Sequence, residues 1–102
     1  MFIVLYRWRI RSDKEQQFIE GWSEVTEYFR KNPGSMGSRL HRGDDGIIYA
    51  FAQWKSQADR DNAFARISGL EGQRKMSEAI EEKLDPVILT ELADYLIFRP
   101  DG

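Results

Sequence analysis

Apolar residues along this chain fall into two rhythms, alternation over short runs and recurrence every three or four positions. The switches between the rhythms mark its elements. Phe2–Ile10 is rich in β-branched and aromatic residues and alternates in part, which predicts a strand. One face would carry Phe2, Val4, Tyr6, Trp8 and Ile10, and the other Ile3, Leu5, Arg7 and Arg9. Phe18, Trp22, Val25 and Phe29 then recur at helical spacing, and Ser12-Asp13-Lys14-Glu15 fits a capping box with Ser12 as N-cap. Asn32-Pro33-Gly34 stops this helix after Arg30 or Lys31, because proline breaks the hydrogen-bond ladder and glycine accepts a positive φ.

Ser35–Arg42 and Ile47–Trp54 read as a hairpin around Gly43-Asp44-Asp45-Gly46, with Asp45-Gly46 as the simplest two-residue loop. Ser56 caps a second helix that runs to about Ile67, with Asp59 in its first turn. Met76, Ile80 and Leu84 at spacings of four predict a third helix over Gln73–Leu84, ended by Asp85-Pro86. Val87–Phe98 is the last predicted strand. The order β-α-β-β-α-(α)-β predicts an α+β domain over residues 1–98. Its arrangement is the ferredoxin-like split βαβ, a four-stranded antiparallel sheet with helices on one face. Residues 99–102 are left as a tail.

A sheet covered on one side alternates cleanly, yet Phe2–Leu5, Ile47–Ala52, Val87–Leu89 and Leu96–Phe98 are continuous or nearly continuous apolar runs. Both faces therefore read as buried, and three helices in 102 residues cover only one. A second subunit stacked sheet to sheet accounts for the other, giving a homodimer. The alternative is a monomer whose C-terminal segment folds across the open face. With the two-residue loop, cross-strand partners place Ile48, Ala50, Ala52, Trp54, Arg39 and His41 on one face. Tyr49, Phe51 and Leu40 fall on the other, the expected partner face. A three-residue loop regroups Arg39 and His41, but the set Ala50, Ala52 and Trp54 needs only a period of two.

Composition narrows the function classes. With 15 basic against 17 acidic residues, net charge −2 and a pI near 5.4, the chain does not read as a nucleic-acid binder or a binder of acidic membranes. No apolar run reaches the length of a bilayer span. The opening MFIVLYRWRI lacks the basic region and cleavage site of a signal peptide, so a cytoplasmic location is expected. The absence of cysteine and the single histidine exclude disulfides, thiolate nucleophiles and multi-histidine metal sites.

The stretch Ala52-Gln53-Trp54-Lys55-Ser56 resembles the strand-to-helix junction of the antibiotic biosynthesis monooxygenase superfamily. The Asn32-Pro33-Gly34…Gly37 turn and the Asp45-Gly46 hairpin are similar to its turns, and the likeness in element order spans residues 1–98. The resemblance implies a dimeric α/β barrel with a cavity between sheet and helices. It also implies one of several activities: metal- and flavin-free oxidation of phenol-, quinol- or anthrone-type rings by O₂, haem degradation, or isomerisation of small sugar-derived signals. Trp54 matches the cavity tryptophan of the polyketide oxygenases and the haem-degrading members. Ala50 stands where the polyketide enzymes have an asparagine and Arg60 where they have a tyrosine, while Arg74 matches an arginine of their third helix. Phe64 stands at the haem-ligand histidine position and cannot ligate iron. The first-strand asparagine of those members falls on Tyr6, so haem degradation is disfavoured.

The expected site follows. His41, Arg39 and Arg74 are the candidate catalytic groups, since imidazole is the usual base near neutral pH and guanidinium binds phenolate or carboxylate. Trp54, Tyr6, Trp8, Trp22, Ala50, Arg60 and Phe64 are the candidate contacts to a small aromatic molecule. A cofactor-independent monooxygenase, needing neither cofactor nor metal, is the leading expectation. A non-catalytic dimeric binder of small aromatic or apolar ligands is the alternative, and a dimer whose cavity is filled by its own side chains is a third.

Overall fold

A computed structural model describes residues 1–97. Its elements are β1 (Phe2–Ile10), α1 (Glu15–Arg30), β2 (Ser35–Arg42), β3 (Ile48–Trp54), α2 (Gln57–Arg66), α3 (Glu71–Ala79) and β4 (Ile80–Leu89). The four strands form one antiparallel sheet in the order β2-β3-β1-β4, the ferredoxin-like order expected from the alternation of elements. The helices share one face. There Trp8, Phe18, Ile48, Ala50 and Ala79 make the buried core, with Trp8 and Phe18 ring centroids 5.1 Å apart.

The centre of the sheet follows the sequence pattern closely. Along β3 the residues alternate strictly between buried and half-buried, with Ile48, Ala50, Ala52 and Trp54 under the helices. Ser56 caps α2 as expected, its hydroxyl accepting from the Asp59 amide at 3.1 Å. The Ser12 capping box does not form. Residues 11–14 make a turn, closed by the Lys14 amide donating to the Arg11 carbonyl at 2.9 Å, so α1 starts at Glu15. The Glu15 carboxylate, which the box would have turned back on Ser12, instead accepts from Arg42 Nε at 2.8 Å and forms an ion pair with that guanidinium at 2.7 Å.

The hairpin loop has three residues. The Gly43 amide donates to the Ile47 carbonyl at 2.7 Å, and Gly46 adopts φ +83°, the left-handed conformation that such a loop requires. Asp45 selects this geometry, because its carboxylate accepts from the Ile47 amide at 2.9 Å and from the Tyr49 hydroxyl at 2.5 Å. Partners shift by one as a result. Arg39 faces Phe51, His41 faces Tyr49 and Leu40 faces Ala50, and Ser35 rather than Gly37 is opposite Trp54. Leu40 therefore packs on the core, not on the open face where it was expected.

The third helix and last strand divide elsewhere than predicted. The helix ends at Ala79, and Ile80, Leu84 and Pro86 belong to β4. Two register shifts in β4, opposite Arg9/Ile10 and Leu5/Arg7, switch which residues face the helices. A spacing of four is also two periods of a strand, so Ile80 and Leu84 fit either element. Pro86 is tolerated because β4 is an edge strand, and Arg7 donates twice to the Asp85 carbonyl, at 3.1 and 2.8 Å, at the irregularity. Pairing stops at Leu89, so residues 90–97 are not the strand expected there. Phe98 and the tail lie outside the described residues.

Candidate functional site

Between the helices and the sheet lies a cavity of about 330 Å³, within the range of small-molecule sites. Its floor is made by Tyr6 and Trp8 of β1 with Ala52 and Trp54 of β3. Its walls are Trp22, Val25 and Phe29 of α1, Phe64 of α2, and Met76 of α3, with Ile80 and Lys83 of β4 at one edge. The floor follows from strand parity: Val4 pairs with Ala52, Tyr6 with Ala50 and Trp8 with Ile48, so these alternate residues share the helix-facing side. Ala52 leaves the floor low between the aromatic rings, and the cavity occupies that space.

The aromatic side chains are locked together. Phe29 stacks on Phe64 at 4.7 Å and meets the Trp54 ring edge-on at 5.9 Å, while Tyr6 stacks on Trp8 at 6.0 Å and on Phe64 at 6.2 Å. Such a wall suits a flat ring.

Of the ten residues expected at the site, Tyr6, Trp8, Trp22, Trp54 and Phe64 line the cavity. Ala50 lies in the core beneath it, 1% exposed. Arg60 sits behind Phe64, its guanidinium carbon 5.1 Å from the centre of that ring and 5.5 Å from the Phe2 ring. The other three lie apart. Arg39 and His41 take the face of Phe51 and Tyr49, opposite to the cavity, because of the three-residue loop. Arg74 is on the outer surface of α3, held by Glu71 and Glu78, which raise its pKa and are themselves lowered.

The periodicity had marked Phe29 and Met76 only as helix-stripe residues, and it gave no sign of Thr26, Ser38, Ser77 or Lys83, which also reach the cavity. The spacing of Phe29 from Val25 and Trp22 contained the signal, since a stripe facing an underfilled floor is both core and cavity wall.

Two buried polar atoms at this site have no hydrogen-bond partner, the Tyr6 hydroxyl and Arg60 Nε. Asp61 Oδ1 is 3.3 Å from Arg60 Nε but out of line with its N–H, so it does not satisfy that donor. Burial pushes the Tyr6 phenol above its ordinary pKa, and the charge of Arg60 opposes the rise. Among the described residues no cluster of His, Asp or Glu could hold a metal ion, and no helix is long and apolar enough to cross a membrane.

Comparison with known proteins agrees with this architecture. The family model for antibiotic biosynthesis monooxygenase matches residues 1–66. SnoaB, a cofactor-independent oxygenase from Streptomyces nogalater, superposes with a TM-score of 0.78 at 14% identity, over 92% of this chain and 95% of that one. Rv0793 from Mycobacterium tuberculosis gives 0.75 at 17% identity, over 93% and 98%. A conserved protein from Methanosarcina mazei gives 0.72 at 14%, over 89% and 92%. No curated protein sequence matches the chain significantly.

Proposed function

The chain belongs to the antibiotic biosynthesis monooxygenase family, and from that premise we propose that it oxidises a small phenol-, quinol- or anthrone-type ring with O₂ and no bound cofactor. The observation that carries the reading is the cavity itself, about 330 Å³ and walled by six aromatic side chains, Trp54 among them. For an anthrone the balance is simple. One oxygen atom of O₂ replaces the two hydrogens of the ring methylene as a carbonyl, and the other leaves as water with those hydrogens. The electrons come from the enolate of the substrate, so the protein need only bind the ring, favour its oxyanion and exclude bulk water. Tyr6, Trp8, Trp22, Trp54 and Phe64 hold the ring, and Arg60 supplies positive charge behind Phe64.

Oxygen uptake with anthrones and hydroquinones tests this. Turnover that falls in Trp54→Phe and persists in His41→Ala is expected, since His41 lies on the opposite face. No turnover across a broad panel would overturn it. A second reading, a non-catalytic binder of small aromatic molecules, is favoured by one observation: Arg39, His41 and Arg74 do not converge on the cavity. It predicts a thermal shift with ring compounds and no consumption of O₂. In both readings the subunits are proposed to pair through the open sheet face, where Tyr49 and Phe51 lie.

A further inference from the structure

We propose that Tyr6 and Arg60 form an oxygen-recognising end of the aromatic cavity, which selects rings bearing a phenolate or carbonyl oxygen over plain hydrocarbons. The inference rests on the reading that the cavity takes an oxygen-bearing ring, and adds which residues recognise that oxygen. Both unpartnered atoms are donors, the Tyr6 O–H and the Arg60 Nε–H. A buried donor without an acceptor is costly, and two of them near one cationic group call for an acceptor oxygen, preferably charged. Burial holds the Tyr6 phenol protonated at neutral pH, so it remains a donor.

The route to these donors passes Phe64. Its ring lines the cavity, carries Arg60 on its face at 5.1 Å and stacks on Tyr6 at 6.2 Å. Phe64 is 39% exposed, and a ligand ring that takes over its stacks on Phe29 and Tyr6 turns it toward solvent. A ring seated against Trp54 would then direct its oxygen between the Tyr6 hydroxyl and the Arg60 guanidinium. The Arg60 side chain is 21% exposed, and the Asp61 carboxylate 3.3 Å from its Nε offsets part of its charge without accepting that N–H.

Quenching of tryptophan fluorescence by naphthalene and by 2-naphthol separates the alternatives, because three tryptophans line the cavity. A purely apolar cavity prefers naphthalene, the more hydrophobic ring. The proposal expects the reverse, with 2-naphthol tighter by about five- to tenfold, the worth of one satisfied hydrogen bond. Tyr6→Phe should bring the ratio of the two affinities down to that of a purely apolar cavity, with naphthalene the tighter probe. Removal of an unpartnered hydroxyl does not threaten the fold. Bound 2-naphthol, followed by absorbance, should ionise about one pH unit lower than free 2-naphthol, and Arg60→Gln should abolish the difference. Equal binding of the two probes, or a preference that survives Tyr6→Phe, overturns the proposal and leaves the cavity reading standing. Binding of neither probe overturns the cavity reading and the proposal together.

Discussion

Tyr6 is a residue whose side chain is suited to a ligand and poorly suited to the empty fold. Its hydroxyl is buried without a partner, so Tyr6→Phe should leave stability unchanged or raise it by about 1 kcal/mol, measured by urea unfolding at pH 7. Loss of more than that amount would mean that the hydroxyl bonds within the protein. The pH dependence follows from the direction of its shift. The folded state holds the Tyr6 proton more tightly than the unfolded chain does, whose value is near 10.0. Its contribution is complete below that value and is lost as pH rises through the higher folded value. The wild type should therefore lose more stability than Tyr6→Phe between pH 9 and about 11. Tyr49 also titrates high, because it donates to Asp45, and its share of the alkaline loss is common to both proteins.

At the scale of elements, α1 and α3 approach closely where two glycines meet backbone to backbone. A Cβ on Gly21 would sit 2.6 Å from the Gly72 carbonyl oxygen, and one on Gly72 would sit 2.6 Å from that of Gly21. Alanine in an exposed helix gains up to about 1 kcal/mol over glycine. Here the obstacle is main chain and cannot rotate away, so the helices must part at a cost of about 1–3 kcal/mol. Gly21→Ala should therefore lower Tm by several degrees, and weaken ring binding as well, since Trp22 and Met76 beside the contact line the cavity. A neutral or stabilising effect would show that the pair sets no helix spacing. No periodicity announces this contact. Five elements were legible, because β3, α1 and α2 keep one rhythm to their ends and clear turn or cap signals bound β1 and β2. The α3–β4 boundary was not, because the shifts in β4 break the period of two. Of the site, Trp54 and Ala52 follow from parity alone. Arg39 and His41 depended on loop length, and that is decided by the Asp45 carboxylate, which captures the Ile47 amide. Arg74 was placed by likeness of position, and its two glutamates hold it on the surface.

At the scale of the molecule, the face of the sheet away from the helices asks for a cover. Ile3, Leu5, Tyr49, Phe51 and Val87 lie on it, and Ile3 and Phe51 border a cleft with residues 89–96. That segment does not bury its own apolar residues: Leu92, Tyr95, Leu96 and Ile97 are each 87–94% exposed. Contiguous apolar surface of this kind is uncommon on monomers. A second copy is the economical cover, because a two-fold axis sets the same patch against itself. Two of the basic residues on this face are engaged within the chain, Arg7 by the Asp85 carbonyl and Arg9 by Glu82 at 3.0 Å, and Arg39 lies out on β2, the edge strand. Light scattering at micromolar concentration should find a particle of two 12.0 kDa chains. Phe51→Lys should shift it to a single chain with unchanged circular dichroism, because Phe51 faces Arg39 on the outer side and the core does not use it. A wild-type monomer would mean that the C-terminal segment covers the face within one chain. A Phe51→Lys dimer as stable as the wild type would move the interface to another surface.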